Sequence, residues 1–580
     1  MSRWSSPNSM AALLLILHLS CSEVVFHPLS VTYVPCSYNP QPDYKLFGEA
    51  SEQIAHDRTA HITYTIDAVF YGQKRQCGGP EKGGGGSGYM HAIDMQDPSK
   101  TSILYHQLIR GVPNDIDACG GYVAITVRNE SVPLPGKVEI YRAYDRNSGT
   151  MDLINTIPVG HAPASMITFT RNCQRILVAN EGEAGKDEKG RFADPEGSVT
   201  VITFTSVDLS QEPLVKTADF TKFNERAKEY TDKGVRWVYK GQRSGKKSNF
   251  STDLEPEYIA LSPDEKTAYV VLQENNAIAV MDVESAEMLE IYPLGFKDWQ
   301  QYGGLDASDR DGGINIKSWP VYGMYQPDAL KQFTLDGVSY LVTANEGDKK
   351  DYTMEEHGVT WTEISRGKIF TKANLLSESI DEEFEDALRT SSELGRLRLS
   401  LVDGREGMKY KYERFYAYGG RSFSIWRADN ISLVYDSGSD IERKHAELMP
   451  DVFNSHVARL EHVPRQDKDD RSDDHGPEVE VVEPAVVGDK VYIFVGNQRV
   501  STIMVYSVEG TGINPRFEAL YRAGGRNRTW QKLFEDHDIG DSDLQDIKYI
   551  PPEESPNKKP FLLVSGSLGG TLAAYEIEFK

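Results

Sequence analysis

The sequence predicts an all-β fold, a β-propeller of seven blades with eight as the alternative, carrying loops and short helical insertions. One pattern recurs along the chain: an apolar strand opened by proline and carboxylates, a turn, a second apolar strand ending in acidic or amide residues, and a third strand. The clearest copies span Leu254–Val283 and Pro477–Val508. Apolar and polar residues alternate within these strands, which are rich in β-branched and aromatic residues. A sheet unit repeated in this way is typical of a propeller.

The first 22 residues have the pattern of a secretory signal peptide. Arg3 precedes the apolar run Met10–Leu19, and small residues follow it up to Ser22. This run is too short to span a bilayer, and no other stretch approaches the roughly 18 apolar residues that a membrane helix needs. No C-terminal anchor signal is recognised. We therefore expect a secreted or cell-surface protein without a transmembrane segment.

Two regions are expected after the signal peptide. Residues 23–55 lack periodicity and contain four prolines, which predicts an extended N-terminal lead-in, and residues 56–580 are expected to form the propeller. Strands at 415–426 and near the N-terminus bring the repeats to seven or eight blades, and helical patterns are confined to insertions at 219–230 and 382–389. The recurring unit is found at 114–141, 162–202, 254–283, 326–348, 477–508 and 544–577.

Cysteines and glycosylation sequons fit an exported chain. Four of the five cysteines follow the expected signal peptide, and this even number suggests two disulfides, with three connectivities that the sequence leaves open. Cys119 and Cys173 both follow the first strand of a repeat, so we predict that they pair across neighbouring blades. The four candidate cysteines are Cys36, Cys77, Cys119 and Cys173, and the sequon asparagines are Asn129, Asn249, Asn430 and Asn527.

The formal net charge is −24, from 87 acidic and 63 basic residues. The electrostatic field of such a negative charge repels nucleic acid and anionic membranes, and it attracts cations or a cationic surface such as a mineral face. The alternative is that the acidity only maintains solubility. We therefore expect no nucleic-acid partner.

Carboxylates recur at the same two points of the repeats. One set opens the innermost strands and the other follows the second strands, so a radial arrangement would bring both to one mouth of the central channel. Many converging oxygens suit calcium, which takes six to eight of them. The alternative is that these acids cap strand ends or pair with nearby Lys and Arg. The first set includes Glu255, Glu257, Asp328, Glu478, Glu480 and Asp546, and the second includes Glu181, Glu183, Glu274, Glu346 and Asp348.

A separate acidic loop contains Asp306, Asp309 and Asp311. Its spacing does not match an EF-hand, but the three carboxylates remain calcium candidates. Signatures of common hydrolases are missing, since there is no Gly-x-Ser-x-Gly elbow, no His-Glu-x-x-His and no zinc-type Cys/His spacing. We therefore assign no catalytic residue. His161 and His475 lie beside repeat motifs and are candidates for metal coordination or acid–base chemistry.

A combination of motifs resembles the choice-of-anchor I family from about residue 60 to 580. The likeness rests on Ala179-Asn-Glu-Gly-Glu, Glu255-Pro-Glu-Tyr, Asp309-Arg-Asp-Gly-Gly-Ile, Ala344-Asn-Glu-Gly-Asp, Gly420-Arg-Ser-Phe-Ser-Ile-Trp and Asp474-His-Gly-Pro-Glu. The resemblance implies a propeller-like extracellular glycoprotein associated with calcium or mineral. Asp543-Leu-Gln-Asp departs from the family's Gly-Pro-Glu-Gly type of motif, which puts the last repeat's contribution to a shared site in doubt.

These observations favour an acidic extracellular glycoprotein that binds calcium and acts in biomineralisation or in the extracellular matrix, with a mineral surface or matrix proteins as partners. Two other functions stay open. The same carboxylates could hold the ions of a metal-dependent phosphatase or phosphodiesterase. The insertions could instead serve a propeller that only binds partner proteins.

Overall fold

The computed structural model describes residues 24–38, 41–67, 87–129, 133–161, 164–187, 189, 191–240, 242–243, 246–354, 359–405, 407, 410–510 and 512–580. The signal peptide expected at 1–22 and the disulfide candidate Cys77 lie outside these residues.

Four-stranded antiparallel sheets form the body of the protein, and the described residues contain seven of them. The first strand, β1 (Val24–Tyr33), belongs to the last sheet. Sheet 1 contains β2 (Ile54–Asp57), β3 (Ile62–Ile66), β4 (Ser87–Asp94) and β5 (Ser102–Arg110). Sheet 2 contains β6 (Val112–Cys119), β7 (Tyr122–Arg128), β8 (Pro135–Arg142) and β9 (Leu153–His161). Sheet 3 contains β10 (Ala164–Phe169), β11 (Arg175–Asn180), an inserted hairpin of β12 (Gly185–Lys186) and β13 (Phe192–Ala193), then β14 (Ser198–Thr203) and β15 (Leu214–Asp219).

The second half of the chain continues this plan with larger insertions. A hairpin of β16 (Gln242–Arg243) and β17 (Lys246–Lys247) precedes sheet 4, which contains β18 (Pro256–Leu261), β19 (Thr267–Leu272), β20 (Ala277–Asp282) and β21 (Glu287–Pro293). Sheet 5 contains β24 (Leu330–Leu335), β25 (Val338–Asn345), β31 (Ser422–Arg427) and β32 (Leu433–Asp436). Sheet 6 contains β33 (Val479–Val487), β34 (Lys490–Asn497), β35 (Thr502–Glu509) and β36 (Arg516–Tyr521). Sheet 7 contains β37 (Leu544–Ile550), β38 (Phe561–Gly566), β39 (Thr571–Phe579) and, outermost, β1.

The sheets are arranged in a ring. The first strand of each sheet contacts the first strands of the sheets before and after it, and β37 contacts β2 to close the cycle. A buried apolar cluster lies between every two consecutive sheets, including sheets 7 and 1. Because each sheet buries both faces against its neighbours, its strands are apolar on both sides near the axis. The prediction of an all-β propeller is confirmed.

β1 changes the expected role of the N-terminal segment. It pairs along β39, from Val24 opposite Phe579 to Tyr33 opposite Thr571. Within the region expected to be a lead-in, Val24–Tyr33 therefore forms the outer strand of sheet 7. Pro28 lies at an irregularity of this pairing, which an edge strand tolerates because its outer side needs no N–H donor.

A five-stranded sheet is inserted around sheet 5. It combines β22 (Phe296–Asp298) and β23 (Tyr322–Met324) with β28 (Ile364–Arg366), β29 (Arg398–Ser400) and β30 (Tyr416–Ala417), and a hairpin of β26 (Asp351–Met354) and β27 (Val359–Thr362) precedes β28. Its own core includes Trp299, Phe370, Leu388 and Phe415. The insertion is thus a packed element beside the propeller.

Among the described residues, the helices lie outside the four-stranded sheets, in connecting segments and insertions, as the sequence predicts. The 382–389 pattern coincides with α3, and the 219–230 pattern begins as a 3-10 helix before α1; the other three helices were not predicted. The α-helices are α1 (Ala227–Lys233), α2 (Gly367–Lys372), α3 (Glu382–Arg389), α4 (Asp440–Leu448) and α5 (Trp530–Glu535), and 3-10 helices span Thr221–Arg226, Pro450–Val452 and Pro464–Gln466. In the described part of the chain, no helix combines the length and apolar character needed to cross a membrane.

A disulfide joins sheets 2 and 3. Cys119 and Cys173 form it, with an S–S distance of 1.95 Å, so the predicted pairing is confirmed. Cys36 is disulfide-bonded as well, and its partner is not among the described residues.

Candidate functional site

One end of the ring axis holds a cavity of about 660 Å³. In an antiparallel pair the start of the first strand lies opposite the end of the second, as Pro256 lies opposite Leu272. Both sets of repeated acids therefore border the same end. The repeated acids that line the cavity are Glu181, Glu183, Glu255, Glu257, Glu274, Asp328, Glu346, Asp348, Glu478 and Glu480. Glu52, Asp115, Asp351 and Asp474 line it as well.

The Asn-Glu-Gly motifs explain how two acids per repeat reach the cavity. Asn180 is buried and its amide donates a 2.9 Å hydrogen bond to Thr200 Oγ1, while Asn345 donates to Ser424 Oγ at 2.8 Å. These bonds fix the strand ends. The following glycines, Gly182 and Gly347, have φ values of +77° and +107°, which glycine adopts readily. The chain thus turns so that the acids on either side of each glycine line the cavity.

Three glutamates form what we call the acidic triplet: Glu181, Glu257 and Glu274. One carboxylate oxygen of each lies within 4.8 Å of the other two. Glu181 accepts a 2.8 Å hydrogen bond from Ser165 Oγ. Buried oxygens of Glu257 and Glu274 have no hydrogen-bond partner in the described part of the chain.

Lys350 neutralises the triplet only in part, because its ammonium group pairs with Glu255. Burial raises the pKa of Glu257 well above its usual range, and the carboxylates of Glu274 and Glu181 raise it further. Burial likewise raises the pKa values of Glu181 and Glu274, with contributions from Glu183 and Glu255 respectively. Like charges held together without water favour either protonation or a bound cation.

The other acids of the cavity wall range from a paired carboxylate to carboxyls whose pKa is strongly raised by burial. Glu255 pairs with Lys350 at 2.6 Å, and both side chains are almost fully buried. Burial raises the pKa of Glu183 and of Asp328 to about 7, with added repulsion from Glu255 and Asp348 respectively. Burial also raises the pKa of Glu480, with Glu346 as its strongest charged neighbour.

The wall beside sheet 6 is different because it contains basic groups. Arg471 Nη2 lies 2.5 Å from one carboxylate oxygen of Glu478, and Arg499 Nε lies 3.2 Å from the other. Although burial opposes its ionisation, these two guanidinium groups hold the pKa of Glu478 well below its usual range. His475 lines the same wall, as do Lys349 and Arg398. Sequence reasoning found His475 but missed these basic residues.

Acids deeper in the channel connect neighbouring sheets. Asp115 accepts a 2.7 Å hydrogen bond from the backbone N–H of Ile167, and Asp117 accepts one of 2.8 Å from Phe169. Asp546 accepts from the backbone N–H of Ile54 at 3.3 Å. Asp546 opens its strand as the sequence indicates, but it joins sheet 7 to sheet 1 and does not line the cavity.

The acidic loop after β22 does not contribute to the cavity. Asp306 accepts from the backbone N–H of Asn315 at 2.5 Å, and Asp311 accepts from that of Gly313 at 3.2 Å. Asp309 binds the guanidinium of Arg396 through both oxygens. These contacts stabilise the loop itself, and calcium binding by its carboxylates stays a prediction.

Comparisons with known proteins agree with the repeat motifs. The family model of the choice-of-anchor I domain matches residues 52–511. Gigasin-3a of Magallana gigas is 37% identical over 188 residues, which cover 32% of this chain and 64% of gigasin-3a. The mesenchyme-specific cell surface glycoprotein of Strongylocentrotus purpuratus is 32% identical over 349 residues, covering 56% of this chain and 44% of that glycoprotein. The chain thus spans less than two thirds of the length of either relative.

A search of solved structures finds propellers at low sequence identity. The β-propeller domain of Myceliophteria thermophila Cps50 (Swd1) aligns with a TM-score of 0.40 and 7% identity, over 95% of this chain and 99% of that domain.

Proposed function

The chain belongs to the choice-of-anchor I domain family, and we propose that it is an extracellular glycoprotein whose propeller binds calcium at the acidic triplet of Glu181, Glu257 and Glu274. The main support for this proposal is that one oxygen of each of these three carboxylates lies within 4.8 Å of the others, while burial raises their pKa values.

Calcium suits this donor set better than other common cations. It takes six to eight oxygen ligands in flexible geometry, including carboxylates and water. The triplet supplies three carboxylates, and Glu183 and Glu255 act on it electrostatically from close by. The triplet contains no nitrogen or sulfur ligand, so it offers little preference for zinc or copper.

Several features support an extracellular location. The sequon residues Asn129, Asn249, Asn430 and Asn527 are all exposed, so glycans would have room there. The Cys119–Cys173 disulfide is typical of chains that fold in an oxidising compartment. One relative is named as a cell surface glycoprotein.

We place this calcium site in a mineralising matrix or at a cell surface, as the family resemblance implies. The net charge of −24 would attract a calcium-rich mineral face as well as free calcium. Mineral surfaces and matrix proteins are the proposed partners.

Calorimetric titration of the metal-free, glycosylated protein with calcium tests the proposal. We expect stoichiometric binding in the wild type and in the exposed control Glu212→Gln, and at least tenfold weaker binding in Glu257→Gln. Equal calcium affinity in all three proteins would refute the site. Phosphomonoester turnover, measured in the same samples, would instead support a metal-dependent phosphoric ester hydrolase, and the absence of both signals would favour a propeller that only binds partner proteins.

A further inference from the structure

A second group of potential metal ligands lies in the wall beside sheet 6. Glu346 follows β25, while His475 and Glu478 lie in the loop before β33. Each of the three offers one ligand atom, and these atoms lie within 4.8 Å of one another. We call these residues the histidine cluster. It differs chemically from the acidic triplet because it contains an imidazole.

Two buried atoms at this cluster have no hydrogen-bond partner in the described part of the chain. They are His475 Nδ1 and Asp474 Oδ1, on side chains that are only 3% and 4% exposed. Nδ1 lies 3.7 Å from Glu478 Oε1, and Asp474 Oδ1 lies 3.4 Å from His475 Nε2. Asp474 Oδ1 also forms an ion pair with Arg398, whose Nε lies 3.3 Å away. Buried polar groups normally make well-directed hydrogen bonds, so two atoms without one beside a single imidazole point to a further ligand that this wall could accept.

The ammonium group of Lys349 lies against His475 Nε2 and blocks that nitrogen. Its Nζ is 2.7 Å from His475 Nε2 and 3.9 Å from a carboxylate oxygen of both Asp348 and Asp474. An ammonium has only protons to donate, so Nε2 accepts in this contact and the proton of a neutral imidazole lies on Nδ1. The Nδ1–H group then points toward Glu478, which would orient the imidazole as a carboxylate orients a metal-bound histidine. His475 Nε2 and Glu346 are left as the ligand groups of the cluster.

We propose that the histidine cluster is a second cation site, separate from the acidic triplet, which binds a borderline divalent cation of the zinc type in competition with Lys349. Imidazole nitrogen combined with carboxylate oxygen favours such cations over calcium. The neutral imidazole has one free lone pair, and either the Lys349 ammonium or the cation uses it. Asp474 Oδ1, close to the same nitrogen, adds a further oxygen. Binding therefore requires the Lys349 side chain to move away.

Cobalt(II) is a suitable probe because its visible absorption reports nitrogen coordination directly. The full chain is first saturated with calcium so that the acidic triplet is occupied, and cobalt is then titrated into the wild type and into Lys349→Gln, His475→Gln and the exposed control Lys228→Gln. We expect Lys349→Gln to bind cobalt at least tenfold more tightly than the wild type. Lys228→Gln should match the wild type, and zinc should displace the cobalt.

Adding His475→Gln or Glu346→Gln to Lys349→Gln should abolish the cobalt spectrum. Calcium binding at the acidic triplet should stay unchanged in these double variants, which would show that they are folded. Equal cobalt affinity in Lys349→Gln and the wild type would overturn the proposed competition. A cobalt spectrum that persists without His475 would overturn the site itself. Because Glu257→Gln affects only the acidic triplet, failure of the calcium proposal would be seen separately.

Discussion

Arg421 donates a 2.7 Å hydrogen bond from its guanidinium to the backbone carbonyl of Asp474. The same side chain, 1% exposed, donates to the carbonyl of Ser472 at 2.8 Å and pairs with Glu442 at 2.7 Å. Gly476 packs directly on it, since a Cβ there would lie 2.9 Å from Arg421 Cδ. Arg421 thus holds the loop that brings His475 and Glu478 to the cavity, although it does not line the cavity itself.

Replacing Arg421 by methionine should reduce the free energy of unfolding by about 3–5 kcal/mol, because Glu442 would stay buried without its charged partner. The matched control is Arg427→Met, whose pair with Asp429 is exposed and should cost less than about 1 kcal/mol. Denaturant unfolding of both variants measures the difference. Similar losses in the two would mean that Arg421 is not a support of this loop.

Removal of calcium should destabilise the protein through the acidic triplet. At a calcium concentration about 100 times the dissociation constant, binding adds about 2.7 kcal/mol to the stability of the folded state. Thermal unfolding with calcium and with a chelator should therefore differ in the wild type and in Glu212→Gln, and much less in Glu274→Gln. A chelator effect of full size in Glu274→Gln would place the stabilising calcium elsewhere.

The pH dependence of stability should include a contribution from Asp541, which lies in the loop before β37. Burial raises the pKa of this carboxyl to about 7, although the Tyr575 hydroxyl and Arg522 act in the opposite direction. Tyr575 donates to it at 2.6 Å. In the unfolded chain an aspartate has a pKa of about 3.9. The folded state therefore binds the extra proton between these values, so this stability is complete below about pH 4 and is lost as the pH rises through about 7.

Asp541→Asn keeps an oxygen acceptor for Tyr575 and removes the buried charge. At pH 8 this variant should be more stable than the wild type, by up to about 4 kcal/mol for a shift of three pKa units, and the difference should shrink toward pH 4. Unfolding free energies measured from pH 4 to 8 test this, with the exposed residue Asp489→Asn as the control. A difference that does not change with pH would contradict the assignment.

The disulfide between sheets 2 and 3 should contribute strongly to stability. Cys119 and Cys173 are 54 residues apart, and closing a loop of this length in the unfolded chain contributes about 4 kcal/mol. Replacing both cysteines by serine should lower the unfolding free energy by roughly that amount. A reducing agent should lower the stability of the wild type by more than that of the double variant, which keeps only the disulfide of Cys36 among the described cysteines. An equal response of both proteins would point to the Cys36 disulfide as the important one.

The sequence predicts the fold and the site well for residues of the repeated unit and poorly for residues outside it. Glu181 and Glu346 were placed at one site from their motifs alone, because a ring of similar sheets converts equal positions in sequence into neighbouring positions in space. The insertions do not repeat, so nothing in the sequence placed Arg398 or Arg471 beside them. The pairing of β1 with β39 was missed since its partner lies at the other end of the chain and its prolines suggest irregular structure.

Gly347, the glycine of the Ala344-Asn-Glu-Gly-Asp motif, should be needed for the turn that brings this motif to the cavity. Gly347 and Gly337 both have positive φ values, +107° and +74°. A Cβ at Gly347 would lie 2.2 Å from the backbone nitrogen of Gly419, whereas a Cβ at Gly337 would meet nothing within 4 Å. Gly337→Ala should therefore cost only the backbone strain, about 1–2 kcal/mol. Gly347→Ala should cost a further 1–3 kcal/mol because the neighbouring chain must move.

The displacement at residue 347 should also reach Glu346 and Asp348. In the Lys349→Gln background, Gly347→Ala should weaken cobalt binding at the histidine cluster, while Gly337→Ala should leave it unchanged. Unfolding free energies and cobalt titrations of Lys349→Gln and of the two double variants separate the two effects. If Gly347→Ala lowers stability but keeps the cobalt affinity, the turn stabilises the fold without positioning Glu346 for a cation.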